Sequence, residues 1–275
     1  MNPLPDLPLV SIVTPSWNTG PYIGDTLRSV QAQDYPRVEH LVLDSGSTDE
    51  TDAVLARFPS IHLVRPAPAG LVPKVNLGFA MARGDVVGWL CSDDYYLPGA
   101  IGKAVDVLRN NPDVGLVYCN DLLVDSRGVE MRRVRSRQVT HSELVLDRNW
   151  VPHATVFMRR EALDLAGPLD PRYPMVCDWD LWIRMSKRFP ILFVDDWWGA
   201  FRVRDDQRSN VHKYESWKEA WKMTREHGAG YFSPYFRNYW RAKLVRAAVM
   251  VGRGEFQVAG AKLRDLVTGL TRTSY

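Results

Sequence analysis

Three short apolar runs near the start of this chain each end on polar or acidic residues, and that pattern narrows the fold more than any other feature. Val10-Ser11-Ile12-Val13-Thr14 opens into Pro15-Ser16-Trp17-Asn18. Glu39-His40-Leu41-Val42-Leu43 ends on Asp44-Ser45-Gly46-Ser47-Thr48-Asp49. Asp85-Val86-Val87-Gly88-Trp89-Leu90 leads to Ser92-Asp93-Asp94. Helical stretches at 22–32, 49–58 and 74–82 fall between and after the first two runs. The order β-α-β-α-β over residues 10–118 predicts a mostly parallel α/β sheet with crossover helices. The strand ends then share one edge, which is where open α/β sheets bind ligands. Acidic and small polar groups delivered there from three strands point to a nucleotide and a metal.

The 275 residues suffice for one α/β domain with an appendage, expected at 1–212 and 213–275. Cys91, Cys119 and Cys177 are scattered, odd in number and without CxxC spacing. They indicate neither a disulfide framework nor a zinc site, and a cytoplasmic setting is expected. The opening Met-Asn-Pro-Leu-Pro-Asp-Leu-Pro lacks the basic and apolar regions of a signal peptide. No run approaches the roughly 18 apolar residues of a membrane span. The net charge of +3 conceals an asymmetry. Residues 213–275 hold 12 Lys/Arg against 5 Asp/Glu, or +7, leaving 23 against 27, or −4, for residues 1–212. A basic extension of this kind suits an anionic membrane surface or a phosphorylated acceptor, and equally a solvated helical face. No nucleic-acid partner is expected.

Further along, Leu97-Pro98-Gly99-Ala100 starts a helix to about residue 110, with Pro98 in its first turn. Strands are expected at 114–119, 155–159 and 192–194, and a helix at 180–187. Residues 120–150 read as a strand, a turn at Ser126-Arg127-Gly128 and a return strand rich in arginine, with Arg132, Arg133, Arg135 and Arg137. From about residue 215 the chain becomes helical, aromatic and basic. Tyr231, Tyr235 and Tyr239, with Phe232, Phe236 and Trp240, recur at four-residue spacing, a stripe expected to pack on the main domain.

The motifs carry the chemistry. Asp44 follows a strand and precedes a helix, so its carboxylate can accept from a base or ribose, while Gly46 and Ser47 let the backbone approach a ligand. An Asx turn with a helix cap is the plainer reading of the same residues. Adjacent Asp93 and Asp94 repel, and placing both at a buried strand end is unfavourable unless a cation neutralises them. Mg²⁺ typically takes one or two carboxylates plus substrate phosphates. In Asp178-Trp179-Asp180-Leu181-Trp182-Ile183-Arg184, Asp180 is expected to serve the helix start and to pair with Arg184. Asp178, one step outside that helix, is free to act as a general base.

Taken together, Pro15-Ser16-Trp17-Asn18, Asp44-Ser45-Gly46-Ser47-Thr48-Asp49-Glu50-Thr51, Gly70 with Lys74 and Asn76, Ala82-Arg83-Gly84-Asp85, Ser92-Asp93-Asp94 and the Asp178–Arg184 segment resemble bacterial glycosyltransferases of family 2 over about residues 8–210. The resemblance implies the GT-A fold, a nucleoside diphosphate donor (most often a UDP-sugar), Mg²⁺ or Mn²⁺, and transfer with inversion. The implied acceptor is a saccharide or lipid-linked saccharide of bacterial polysaccharide or envelope synthesis. By position, Pro15, Ser16 and Asn18 would line the nucleoside pocket, with Asp44 on the base and Ser47 nearby. Lys74 and Asn76 would approach the phosphates. Ser92 and Asp93 would meet the donor, Asp94 with Asp93 would hold the metal, and Asp178 would deprotonate the acceptor.

Two departures stand out. Many relatives have Glu-Asp where this chain has Cys177-Asp178. Many also carry a histidine, often a metal ligand, where Arg204 stands, and arginine cannot ligate a cation. Asp205 or Asp206, water, or direct contact of Arg204 with diphosphate are the alternatives. His153, ahead of the 155–159 strand, is either a donor- or acceptor-contacting group or a structural histidine. A non-catalytic nucleotide-sugar-binding protein on the same fold is the alternative function; three retained carboxylates, Asp93, Asp94 and Asp178, argue against it. A nucleotidyltransferase is disfavoured, because residues 14–22 hold a single glycine and no basic residue.

Overall fold

The computed structural model describes residues 1–231, 233–237, 240, 241 and 244. Phe232 and Tyr239 of the aromatic stripe, and residues 245–275 of the basic extension, lie outside the described residues. The chain builds one nine-stranded sheet in the order β3-β2-β1-β4-β8-β6-β9-β5, with β7 beside β6. The strands are β1 Val10–Ser16, β2 Val38–Asp44, β3 His62–Val64, β4 Val86–Trp89, β5 Tyr95–Tyr96, β6 Leu116–Val124, β7 Glu130–Val134, β8 Phe157–Arg159 and β9 Ile191–Arg202. β3-β2-β1-β4 are parallel. Antiparallel pairings enter where β8 joins β4 and β6, and β6 and β9 run parallel again. All seven residues of β1 are buried, as a central strand covered on both faces requires. The fold class is α/β, as expected from the run order.

Helix α1 Gly20–Gln31 returns the chain from β1 to β2, and α2 Thr51–Leu55 precedes β3. Helix α3 Leu71–Met81 then crosses back over the sheet to β4 on the far side of β1. Connections therefore leave β1 and β4 in opposite directions, and the crevice between their carboxyl ends is a topological switch point. Gly78 lets α3 lie close on the sheet: a Cβ there would stand 2.3 Å from Val13 Cγ1 and 2.9 Å from Leu43 Cδ1.

Several bounds differ from the sequence expectation. The expected strand at 155–159 begins instead as a 3-10 turn, His153–Thr155, with β8 after it. β9 runs 12 residues rather than three, because register shifts beside Cys119, Asn120 and Asp121 absorb its polar stretch Asp195-Asp196. The expected turn at Ser126-Arg127-Gly128 does join β6 to β7. The expected helix from residue 97 is α4 Ala100–Asn110, with Pro98 ahead of it and Gly99 at its N-cap. Further helices are α5 His141–Leu146, α6 Arg160–Ala166, α7 Cys177–Ser186, α8 Arg208–Val211 and α9 Lys213–Glu226. α7 starts three residues earlier than expected, so Asp178 sits inside its first turn rather than outside the helix. Its N-cap is Val176, with no side-chain cap, which is why no polar signal marks the start. No helix among the described residues is long and apolar enough to cross a membrane.

Candidate functional site

The ends of β1 and β2 are laced together by the loops that follow them. Asn18 takes a φ of 50°, a left-handed conformation that Asn tolerates. Its N–H donates to Ser47 Oγ at 2.8 Å, and its Oδ1 accepts from the Thr48 N–H at 2.8 Å. Asp44 is fully buried and accepts from the N–H groups of Gly46 and Ser47, both at 2.9 Å, and from Ser47 Oγ. Arg65 completes its shell at 2.7 Å. Burial pushes this carboxyl upward, but those hydrogen bonds and the Arg65 charge outweigh it and hold Asp44 below the usual range. Pro15 and Ser16 are buried at the strand end, and Trp17 beside them is 62% exposed. Lys74, nearly buried on α3, donates to the Ser16 carbonyl at 2.6 Å. Burial lowers its pKa, which the Asp44 charge opposes. Asn76 does not join this group: its amide donates to Leu169 O at 2.9 Å and accepts from Leu169 N–H at 2.8 Å, tying α3 to a later loop.

Beyond β4 the chain turns sharply, with Asp94 N–H donating to Cys91 O at 3.1 Å and Ser92 buried in the turn. The two aspartates have different partners. Asp93 takes the Arg204 guanidinium at 2.9 Å, both side chains being 15% exposed, and Arg204 stacks on Tyr22 with its guanidinium carbon 4.6 Å from the ring centroid. Asp94 is 1% exposed, and its Oδ1 accepts the backbone N–H of Arg202 at 2.9 Å. Burial, and then the Asp93 charge, push Asp94 well above the usual carboxylate range. The Arg202 guanidinium opposes this shift only from a distance, because its hydrogen bonds go to Asp93 O, Ser126 O and Asp25 Oδ2 instead.

His153 faces the same crevice. One of its ring nitrogens, an Asp94 carboxylate oxygen and Cys91 Sγ all lie within 4.8 Å of one another. Its Nε2 is buried with no hydrogen-bond partner among the described residues, and Trp89 meets the ring edge-on at 4.2 Å. Burial brings the imidazole down to about 4, so it stays neutral with a lone pair to offer. The turn that carries it is fixed from two sides. Cys119 N–H donates to Thr155 Oγ1 at 3.2 Å, and Trp198 Nε1 donates to Thr155 O at 2.6 Å.

Asp178 on α7 accepts from Asn149 Nδ2 at 3.2 Å. Burial raises its pKa to about 6, against the pull of the helix-start N–H groups. The Cys91 thiol, itself raised mainly by burial, feels the charges of Asp94, Asp93 and Asp178 together. Residues from three segments thus act on one locus: the β4 turn, the His153 turn and the start of α7. Four contributors carried no signal in the sequence. Cys91 and Arg65 sit in no motif, Arg202 lies inside a strand, and Asp121 on β6 is a lone acid. Asp121 Oδ1 is buried without a partner among the described residues, and burial raises its pKa to about 7.

Comparison with known proteins identifies the family. A family profile described as glycosyl transferase family 2 matches residues 11–164. An uncharacterized glycosyltransferase of Rickettsia prowazekii is 27% identical over 236 residues, covering 80% of this chain and 74% of its own. The chondroitin synthase of Escherichia coli is 25% identical over 69% of this chain, which spans only 28% of that protein. Among solved structures, residues 1–349 of Staphylococcus aureus TarS in complex with UDP-GlcNAc superpose with a TM-score of 0.59 at 19% identity, covering 78% of this chain and 66% of that one. The mannosyltransferase PcManGT of Pyrobaculum calidifontis, in complex with GDP-Man and Mn²⁺, gives 0.63 at 19% identity over 100% of this chain and 83% of its own. These two likenesses concern the fold alone, an α/β architecture of GT-A type. With a profile spanning more than half its length, the chain belongs to glycosyl transferase family 2.

Proposed function

We propose that this chain is an inverting hexosyltransferase that moves a sugar from a UDP-sugar to a hydroxyl of a saccharide or lipid-linked saccharide in bacterial polysaccharide or envelope glycan synthesis. The observation that carries the reading is the pairing of a neutral-range base with a buried acidic turn: Asp178, raised to about 6, and Asp94 both act on Cys91. In the reaction, the acceptor oxygen attacks the anomeric carbon as the bond to the diphosphate oxygen breaks. The acceptor proton passes to Asp178 and the bonding electrons leave with the diphosphate. A single base opposite the leaving group is what one displacement with inversion needs. Asp94 would hold Mg²⁺ or Mn²⁺, whose Lewis acidity stabilises the departing diphosphate. The residues fit such an ion, since Asp94 is a buried carboxylate with no basic side chain paired to it among the described residues. Pro15, Ser16, Asn18, Ser47 and Asp44 would frame the nucleoside, with the exposed Trp17 ring as a surface for the base. Lys74 and Arg204 supply positive charge on the phosphate side. The +7 of residues 213–275 supports an anionic or membrane-bound acceptor.

Calorimetric titration with UDP, GDP and dTDP, each with and without Mn²⁺, tests this. Micromolar, metal-dependent binding of UDP is expected. Binding of GDP or dTDP alone reassigns the donor. No binding of any nucleotide overturns the reading in favour of a non-catalytic protein in which Arg204, seated on Asp93, closes the site.

A further inference from the structure

Asp94 and its neighbours say more than that a cation is wanted. Arg204 already pairs with Asp93, whereas no basic side chain among the described residues makes an ion pair with Asp94, which is 1% exposed. Ionising so buried a carboxyl is unfavourable, and a bound cation is its natural compensation. What surrounds Asp94 is not more oxygen but a thiol and an imidazole. We infer that this chain holds its cation on a mixed set, Cys91 Sγ, a carboxylate oxygen of Asp94 and a ring nitrogen of His153, and so takes a transition-metal ion of the zinc or cobalt class in preference to magnesium. The inference rests on the transferase reading for its purpose, and deepens it by naming the ligands and the class of ion.

Three observations carry it. The ligand atoms lie within 4.8 Å of one another. Three ligands set around one ion at about 2.0–2.3 Å stand about 3.3–4.0 Å from one another, so closure shortens these separations by up to about 1.5 Å. His153 Nε2 is buried beside Trp89 with no partner among the described residues, an uncommon state for a native polar atom unless something absent satisfies it. The set is also held in place. Asp94 Oδ1 is fixed by the Arg202 N–H, the Asp94 N–H by Cys91 O, and the His153 turn by Cys119 and Trp198 through Thr155. A Cβ on Gly199 would stand 2.5 Å from Ala154 O, so β9 presses directly on that turn.

The donor chemistry selects the ion. Mg²⁺ asks for oxygen ligands in near-octahedral array, whereas imidazole and thiolate favour later first-row metals. On binding, the Cys91 S–H proton leaves to water and the thiolate donates to the ion. The Asp94 carboxyl likewise gives up its proton to water before it ligates, whereas neutral His153 donates a lone pair without losing one. One thiolate and one carboxylate then balance the divalent charge, with Lys74 close enough to act on the thiol as well. Three protein ligands leave coordination positions open, as sites that also bind substrate require.

The full chain, stripped of metal and free of nucleotide, should be titrated with Co²⁺. One equivalent is expected to produce a near-ultraviolet thiolate-to-cobalt charge-transfer band that a large excess of Mg²⁺ leaves in place. Cys91→Ser should abolish the band while some Co²⁺ binding remains, and His153→Gln should weaken Co²⁺ affinity by at least about tenfold. Because both positions pack closely, the unmodified protein supplies a second measurement. Zn²⁺ should protect Cys91 from alkylation, read by peptide mapping with the buried Cys119 and Cys177 as internal references. Co²⁺ binding without the band, or Zn²⁺ without protection, overturns the ligand set. A parallel UDP titration separates the two readings. UDP binding with neither signature leaves the transferase standing and removes this metal site, whereas both signatures without nucleotide binding keep the site and remove the transferase.

Discussion

A carboxylate that titrates near neutrality must be largely kept from water, and Asp178 is half-buried in the first turn of α7, with the Asn149 amide as its side-chain hydrogen-bond partner among the described residues. If Asp178 is the base proposed above, its value of about 6 sets the pH dependence of the reaction. The base is active only when ionised, so kcat/KM should fall about tenfold per unit as pH drops below about 6 and level off above it. In Asp178→Asn that limb should vanish with turnover reduced by about 10²–10⁴, while UDP affinity stays within about twofold. The same substitution relieves a buried charge, so it should raise stability at pH 8 by about 1–3 kcal/mol, seen as a higher Tm. Near-normal turnover would remove Asp178 from the base role. Arg204 makes a separate case. Planar and always charged, it pairs with Asp93 and stacks on Tyr22 at once, which lysine cannot copy. Both Arg204→Ala and Arg204→Lys should therefore weaken UDP binding by about tenfold, or about 1.4 kcal/mol. Unchanged calorimetric affinity in the lysine variant would limit Arg204 to a simple charge.

At the level of elements, the parts legible in the sequence were those whose periodicity and chemistry coincide. β1, β2 and β4 are apolar runs that stop on polar residues, and their ends meet at the switch point as that pattern demands. What stayed hidden depends on contacts distant in the chain. Cys91 and His153 lie 62 positions apart, and only the sheet order, with β8 beside β4, brings them together. α7 begins without a capping side chain, so its true start, and with it the setting of Asp178, left no trace. Asn76 matched a motif by spacing but is bound at both ends to Leu169. The i,i+4 pairing of Asp180 with Arg184 was readable, at 2.8 Å; the bond of Asp180 with His227 Nε2, which ties the end of α9 to α7, was not. Helix α3 offers the clearest test at this scale. Gly78→Ala would drive a Cβ into Val13, a β-branched side chain with no exposed surface. A loss of about 1–3 kcal/mol is expected in urea unfolding, with Lys74 displaced and UDP affinity reduced alongside. Wild-type stability would mean that α3 rides higher on the sheet than this packing indicates.

For the molecule as a whole, the buried acids at the site set an unusual balance of stability against pH. Asp121 at about 7, Asp178 at about 6 and Asp94, raised by burial and by Asp93, all bind protons more tightly when folded than the roughly 3.9 of an unfolded aspartate. These three sites make stability fall as pH rises from about 4 to 7, while His40 and His153, lowered by burial to about 3 and 4, act in the opposite sense below about 6.5, so the net decline sets in above about pH 6.5. Carboxyls held low by hydrogen bonds and arginines, such as Asp44 and Asp170, act in the opposite sense and lose their contribution as pH falls below about 4. The metal-free protein should thus lose stability above about pH 6.5, with Tm declining toward pH 8. A divalent ion reverses this limb. It binds the ionised form of Asp94, so its stabilisation grows with pH and should recover, at saturating Mn²⁺, much of what was lost between about pH 6.5 and 8. Thermal melts across pH with Mn²⁺ and with a chelator would show two curves that coincide in acid and diverge above neutrality. Two curves that run parallel throughout would mean that the ion, if bound, is held away from these carboxylates, and that Asp94 keeps its proton through the reaction.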